Sequence, residues 1–219
     1  MKGLETNRMK PYKYTPKTSQ YFSELTQGWI SGVYTAWPAS EYPYIRTFSG
    51  KEFQHLLPAP SEICLEDIAH SLSRLCRFTG HVVPSIYSVA EHAVRVSMVC
   101  DPKDAFYGLH HDDTEAYCSD ISRPFKRLPG MEGYRLYEKG VMRAIAIKFN
   151  LPDEEPESVK KADLVLLATE QRDIMPLKMV ESGDGSKWPA EPLPEKIKAW
   201  SQKKAERKFL ERHYELGGK

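Results

Sequence analysis

From residue 61 onward, apolar residues recur every three to four positions, and this periodicity restricts the fold more than any other feature of the chain. Ile68, Leu72, Leu75 and Cys76 share a face ahead of a break at Thr79-Gly80, which predicts a helix over about 65–77. Ser88-Val89-Ala90-Glu91 has capping-box spacing, a hydroxyl for the third amide and a carboxylate reaching back, so a second helix starts at Val89 and runs to about Cys100. Asp101-Pro102 offers an N-cap followed by proline at the first helical position. The third helix it opens carries Ala105, Leu109 and Asp112 on one face, to about Tyr117. Tyr134, Tyr137, Val141 and Ile145 predict a fourth helix ending near Asn150. Val159, Ala162, Leu166 and Leu167 predict a fifth over about 157–174, after an acidic linker from Pro152 to Glu157.

The two ends of the chain read differently. Residues 1–60 hold 6 of the 16 prolines and are rich in aromatics, which argues against long helices there. Within them, Tyr44 to Phe48 and Lys51 to Gln54 flank Ser49-Gly50, the spacing of a small hairpin. The stretch from Glu195 to His213 carries seven Lys/Arg and three Glu, with Ile197, Trp200, Phe209 and Leu210 as its apolar positions, and is expected to be a surface helix. The expected architecture is all-α. A helical bundle of five or six core helices over 61–175 follows a short irregular or β N-terminal arm over 1–60 and precedes an extension over 176–219 that ends in the basic C-terminal surface helix.

Composition removes several classes of function. Lys plus Arg number 31 against 30 Asp plus Glu, a net charge of +1, so there is no global field for a nucleic acid or an anionic membrane. The longest apolar run, Leu164 to Ala168, is far below the roughly 18 residues of a spanning helix. Lys2, Glu5, Arg8 and Lys10 are followed by no apolar stretch of the secretory kind, so a cytoplasmic protein is expected, in the host cytoplasm if the gene belongs to a phage. No two of Cys64, Cys76, Cys100 and Cys118 form a C-x-x-C pair, and all four are expected to be reduced packing residues.

The chemistry is signalled by ionisable residues inside apolar stripes. His92 shares the face of Val89, Val96 and Val99, and Asp163 shares that of Val159, Leu166, Leu167 and Glu170. A lone buried histidine is ordinarily a hydrogen-bonded core residue, but a buried carboxylate costs several kcal/mol unless paired or metal-bound. Between the two lies His111-Asp112, with Glu115 one turn further on. Two imidazoles and two carboxylates without thiolate suit a divalent ion such as Mn, Co, Zn, Mg, Fe or Ni, and composition does not choose among them. Such an ion lowers the pKa of water and polarises a phosphoryl oxygen, both useful in hydrolysis near neutral pH.

An inward His, then His-Asp, then a distant Asp, each on its own helix, resembles the HD-domain phosphohydrolases. The match is close around Tyr87-Ser88-Val89-Ala90-Glu91-His92, His111-Asp112-Asp113-Thr114-Glu115, Asp120 and Lys161-Ala162-Asp163, and spans about residues 60–175. Within that superfamily the chain looks most like bacterial 5'-deoxynucleotidases and small phage enzymes that hydrolyse deoxynucleoside triphosphates, dATP included. The resemblance implies an HD-domain bundle in which His92, His111, Asp112 and Asp163 hold the metal. It makes Glu115 the acid/base residue beside the attacking water and Asp120 a second carboxylate near the leaving group. Arg77 and Lys126 correspond to phosphate contacts, and Phe78 stands where close relatives carry Trp. Of the remaining histidines, His81 could reach phosphate or a second metal, and His110 points about 100° away from His111 on an ideal helix, toward packing or an outer hydrogen bond.

The expected function is a metal-dependent triphosphohydrolase of 2'-deoxynucleotides of the dATP type, releasing nucleoside and triphosphate, because Arg77, Arg123, Lys126 and Arg127 offer more cations than one phosphate needs. The alternative is a 5'-deoxynucleotidase acting on deoxynucleoside monophosphates. More distant are hydrolysis of a cyclic dinucleotide or alarmone, and a non-catalytic nucleic-acid-binding protein using the basic tail. Proteins of the resembling kind are often homo-oligomers, which is the expected assembly.

Overall fold

Helices form where the periodicity does, and their ends are set by what the flanking backbone is needed for. The protein is described here by a computed structural model over residues 44–55, 57–176 and 188–219. Most of the expected N-terminal arm, residues 1–43, lies outside the described residues, as does 177–187.

Strands β1 (Tyr44–Arg46) and β2 (Glu52–Gln54) pair antiparallel with Ile45 opposite Phe53. The connection spans residues 47–51, longer than the two-residue turn the spacing suggested. It closes through the Thr47 amide on the Lys51 carbonyl at 2.9 Å and turns at Gly50, whose φ of +84° suits a residue without Cβ. The Ser49 amide and hydroxyl donate to the two carboxylate oxygens of Asp67 at 2.6 and 2.8 Å, tying the loop to the first helix. Phe53 is fully buried and stacks on Tyr117 at 4.1 Å, so the hairpin shares the core of the helices beyond residue 60.

Helix α1 (Leu65–Leu72) buries Leu65, Ile68, Ala69 and Leu72. It stops short of residue 77 because the next residues are extended. The Arg77 amide donates to the Tyr87 carbonyl at 2.9 Å and the Val89 amide to the Leu75 carbonyl at 3.0 Å. Arg77 therefore stands outside the helix, ahead of a 3₁₀ turn (Phe78–Gly80) in which Phe78 and Thr79 both have positive φ.

Helix α2 (Val89–Val99) begins at Ser88, whose hydroxyl accepts from the Glu91 amide at 3.1 Å. The reciprocal half of the capping box is absent. The Glu91 carboxylate is buried and accepts instead from Arg95 and from the Trp200 amide at 2.7 Å, holding the segment that precedes the last helix.

The expected third helix is broken. A 3₁₀ turn (Pro102–Asp104) leads into α3 (Ala105–His110), and α4 (Glu115–Cys118) follows after a turn at residues 111–114. Gly108 lets α3 approach α2, since a Cβ there would lie 2.9 Å from Cys100 Sγ and 3.3 Å from the Ser97 Cα. A short α5 (Arg123–Lys126) precedes α6 (Glu132–Phe149), which ends on Asn150 in the left-handed conformation. Helix α7 (Glu157–Asp173) spans almost the predicted range.

Helix α8 (Gln202–Glu215) is the expected surface helix, with one face packed more deeply than its cation count suggested. It packs on α1, α2 and α3 and buries Ala205, Phe209 and His213, a stripe at four-residue spacing, while Lys203 and Arg207 face water. Helix α2 is central, packed by α3, α7 and α8. The four cysteines are free, and no helix among the described residues is long and apolar enough to cross a membrane.

Candidate metal centre

Three elements bring the predicted ligand set together. His92 comes from the first turn of α2, Asp163 from the middle of α7, and His111-Asp112 from the turn between α3 and α4. Donor atoms of His92, His111 and Asp163 lie within 4.8 Å of one another. Asp112 Oδ2 is 3.3 Å from His111 Nε2 and 3.7 Å from His92 Nε2, and Asp163 Oδ1 is 3.3 Å from His92 Nε2. Residues 111–114 carry the helical path on in tightened form, with the Asp113 amide on the His110 carbonyl at 3.3 Å and the Glu115 amide on the Asp112 carbonyl at 3.0 Å, so His111 and Asp112 enter the cluster from one short segment.

The imidazoles are oriented as metal ligands are. His92 Nδ1–H donates to Glu170 Oε1 at 2.6 Å and His111 Nδ1–H to the Gly108 carbonyl at 2.9 Å. Each ring is thereby fixed with its Nε2 lone pair toward the cluster, and neither Nε2 has a hydrogen-bond partner although both are buried. Two orphaned buried nitrogens between two carboxylates fit a cation, and the N/O donor set fits a borderline divalent ion.

The electrostatics agree. Burial and Arg77 disfavour a charged His92, but Glu170 and Asp163 outweigh them and raise its pKa to about 9. Burial likewise opposes ionisation of Asp163 and Asp112. His92 and His111 overcome it at Asp163, and His111, His92 and Arg77 at Asp112, holding both carboxyls below the usual range. The cluster is built to receive positive charge.

Glu170 is the functional residue that the sequence reading left without a role. Fully buried, it accepts from His92, from the Tyr87 hydroxyl at 3.0 Å and from Arg77 Nε at 3.2 Å. The signal was present, because Glu170 lies on the inward stripe of Asp163 two turns on. Tyr87 was in the segment matched to the HD-domain proteins, without a role of its own.

A cavity of about 520 Å³ opens beside the cluster, lined by His111, Asp112, Glu115, Arg123, Lys126 and Asp163 among others. Glu115 is buried with Oε2 unpartnered. Burial first, then Asp112 and Asp120, push its carboxyl well above the ordinary range. Asp120 is half-buried and raised by burial too. Lys126 Nζ reaches Glu138 at 2.6 Å and Arg123 reaches Asp163 at 3.1 Å. Arg77 is nearly buried between Glu170 and Asp112, at 3.1 and 3.5 Å, so it braces the ligands from behind. Neither Phe78 nor His81 is among the residues lining this cavity; Phe78 packs partly against the core beside Arg77, and His81 is exposed. Glu155, from the acidic linker, does line it, though nothing in the linker's composition set that residue apart.

No family model matches the chain. Among curated proteins, the uncharacterized protein YfdR of Escherichia coli K12 is 44% identical over 146 residues, covering 67% of this chain and 77% of that one. An uncharacterized protein of Rhodobacter capsulatus is 32% identical over 125 residues, 53% of this chain and 63% of its own length. With that identity sustained over most of the E. coli protein's length, this chain belongs to the YfdR family.

Proposed function

We propose that this protein is a metal-dependent phosphohydrolase of the HD-domain kind acting on 2'-deoxynucleotides, in first place a deoxynucleoside triphosphate of the dATP type. The observation that carries the reading is the pair of buried, unpartnered Nε2 atoms of His92 and His111 facing Asp112 and Asp163, beside a cavity that holds Glu115, Lys126 and Arg123. A divalent ion on those four ligands would supply Lewis acidity and a water of lowered pKa. Glu115, whose carboxyl burial, Asp112 and Asp120 push well above the ordinary range, in its ionised form takes the proton of the attacking water and returns it to the leaving 5'-oxygen. The bond formed joins water oxygen to the α-phosphorus, and the bond broken is that from phosphorus to the 5'-oxygen, leaving nucleoside and triphosphate. Lys126 and Arg123 neutralise non-bridging oxygens.

One observation favours the second reading, a 5'-deoxynucleotidase. Three of the four cations that argued for a triphosphate are already matched, Arg77 by Glu170 and Asp112, Lys126 by Glu138 and Arg123 by Asp163. A single phosphate needs fewer of them to let go. Incubating the purified protein with Mn or Co and a pool of the four dNMPs and four dNTPs separates the readings by product. Triphosphate with nucleoside supports the first, and inorganic phosphate with nucleoside the second. Absence of turnover on both pools by metal-loaded protein would overturn the proposal.

A further inference from the structure

Behind the ligand turn lies a second histidine and carboxylate array that the proposed chemistry does not use. His110 Nδ1 is 2.6 Å from Asp113 Oδ2, and His110 Nε2 is 2.9 Å from His213 Nδ1 on α8. All three residues are fully buried. With the Asp113 carboxylate as acceptor, His110 donates from Nδ1, and its Nε2 then accepts from His213 Nδ1–H. The array sits in an aromatic cage, with Phe149 stacked on the His110 ring at 4.6 Å and Phe106 and Phe209 edge-on at 4.8 and 5.6 Å.

The placement of the array gives it consequence. His110 and Asp113 immediately flank His111 and Asp112, so the chain atoms that aim the two ligands are held on both sides by side chains anchored in the opposite direction. The anchor is on α8, over 100 positions away in sequence, and α8 contributes no ligand. The end of that helix closes over the anchor, with the Gly218 amide bonded to the His213 carbonyl at 3.0 Å and a Cβ on Gly218 running into the His213 ring. The two bonds of His110 hold the array together in its apolar cage, where Asp113 Oδ1 and His213 Nε2 are buried without a partner, so losing either bond adds to polar atoms already unmatched.

We infer that His213 is a positioning residue for the metal centre: through His110 and Asp113 it locks the turn that presents His111 and Asp112. The part of this that concerns metal affinity rests on the proposed metal site; the locking of the turn does not.

Two measurements on the full chain test it, hydrogen exchange of the metal-free protein and Mn(II) affinity by paramagnetic resonance. In His213→Leu the amides of residues 111–116 lose protection about ten-fold while those of α7 do not, and Mn(II) binds about ten-fold more weakly, the usual scale for an outer-shell contact. His213→Asn, which keeps a donor near the Nδ1 position, restores both. Ala205→Gly loosens the same helix without touching the array and leaves both unchanged. Gly218→Ala displaces the ring instead of removing it and replaces His213→Leu, with the same expected losses, should that variant not fold. Loss of protection spread equally over α7, or equal behaviour of the leucine and asparagine variants, would overturn the inference. Failure of the unaltered protein to bind Mn(II) would instead overturn the proposed metal site, and the exchange result alone would then decide whether the turn is locked.

Discussion

Two histidine clusters share the four residues His110 to Asp113, and they are opposites. On the cavity side, His92 and His111 end in unpartnered Nε2 atoms, and the surrounding carboxylates raise His92 to about 9. On the core side, His110 has both ring nitrogens engaged and, of the two rings, only His213 Nε2 is unpartnered, away from the cluster's carboxylates, and burial together with His110 lowers His213 to about 4. The same residue types therefore make a site that calls for a cation and a site that stays neutral. Burial and the His110 ring outweigh Glu66 at His213, whereas Glu170 and Asp163 outweigh burial and Arg77 at His92. A His-Asp pair is read correctly only from what faces it.

The contrast can be broken most severely at the cavity. Asp163→Ala removes one carboxylate from the set, and turnover is expected to fall by about 10³-fold or more; chelation should do the same and added Mn reverse it. Full activity in that variant would dispose of the proposed ligand set. The next largest effect belongs to the core array. His110→Ala leaves Asp113 as a buried carboxylate without its partner, at a cost of about 3–5 kcal/mol by calorimetry, whereas His111→Ala in metal-free protein should cost no more than about 1 kcal/mol. Equal losses at the two positions would erase the distinction drawn here.

A pH series sharpens the same comparison. His213 is buried neutral, with a folded pKa of about 4 against an ordinary 6.5, so its contribution to stability is complete above about 6.5 and is lost as pH falls toward 4. The stability gap between the unaltered protein and His213→Leu should accordingly narrow by about 3 kcal/mol between pH 7 and pH 4. A constant gap would mean that His213 is not held neutral. Glu170→Gln comes next, since it keeps the shape but loses the charge behind His92, and metal affinity should drop about 10- to 100-fold in a titration calorimeter. The smallest effect is expected on the outer face of α8. Replacing the exposed Lys203 and Arg207 by Gln should change stability by less than about 0.5 kcal/mol and leave turnover alone. Salt-sensitive retention on nucleic acid that vanished with these cations would revive the binding-protein alternative.

Period and capping made much of the helical frame legible. Helices α2, α6 and α7 lie close to where Ser88, Asn150 and the stripe from Val159 put them, and His92 and Asp163 point inward as their stripes require. The boundaries that moved are those where long-range pairing overrode the local pattern. The end of α1 gave way to the pairing of residues 75–77 with 87–89, whereas the third helix is interrupted only by local tightening at residues 111–114. Tail helix α8 was legible as a helix, but its inward stripe of Ala205, Phe209 and His213 was hidden under the count of lysines and arginines.

What the sequence by itself determined is the set of amphipathic helices and the anomaly of charge within them, because a 3.6-residue period and the cost of burying a carboxylate are local facts. The helical period already turned His110 away from His111 and toward packing, and tertiary structure decided what each of them meets there. His110 and His111 are adjacent and chemically identical, and they are distinguished by Phe149, His213, Asp112 and Gly108, which reach them through the packing of separate helices. The protonation and ligand capacity of a buried imidazole are set by those partners, and partners distant in the chain have no signature in the local pattern.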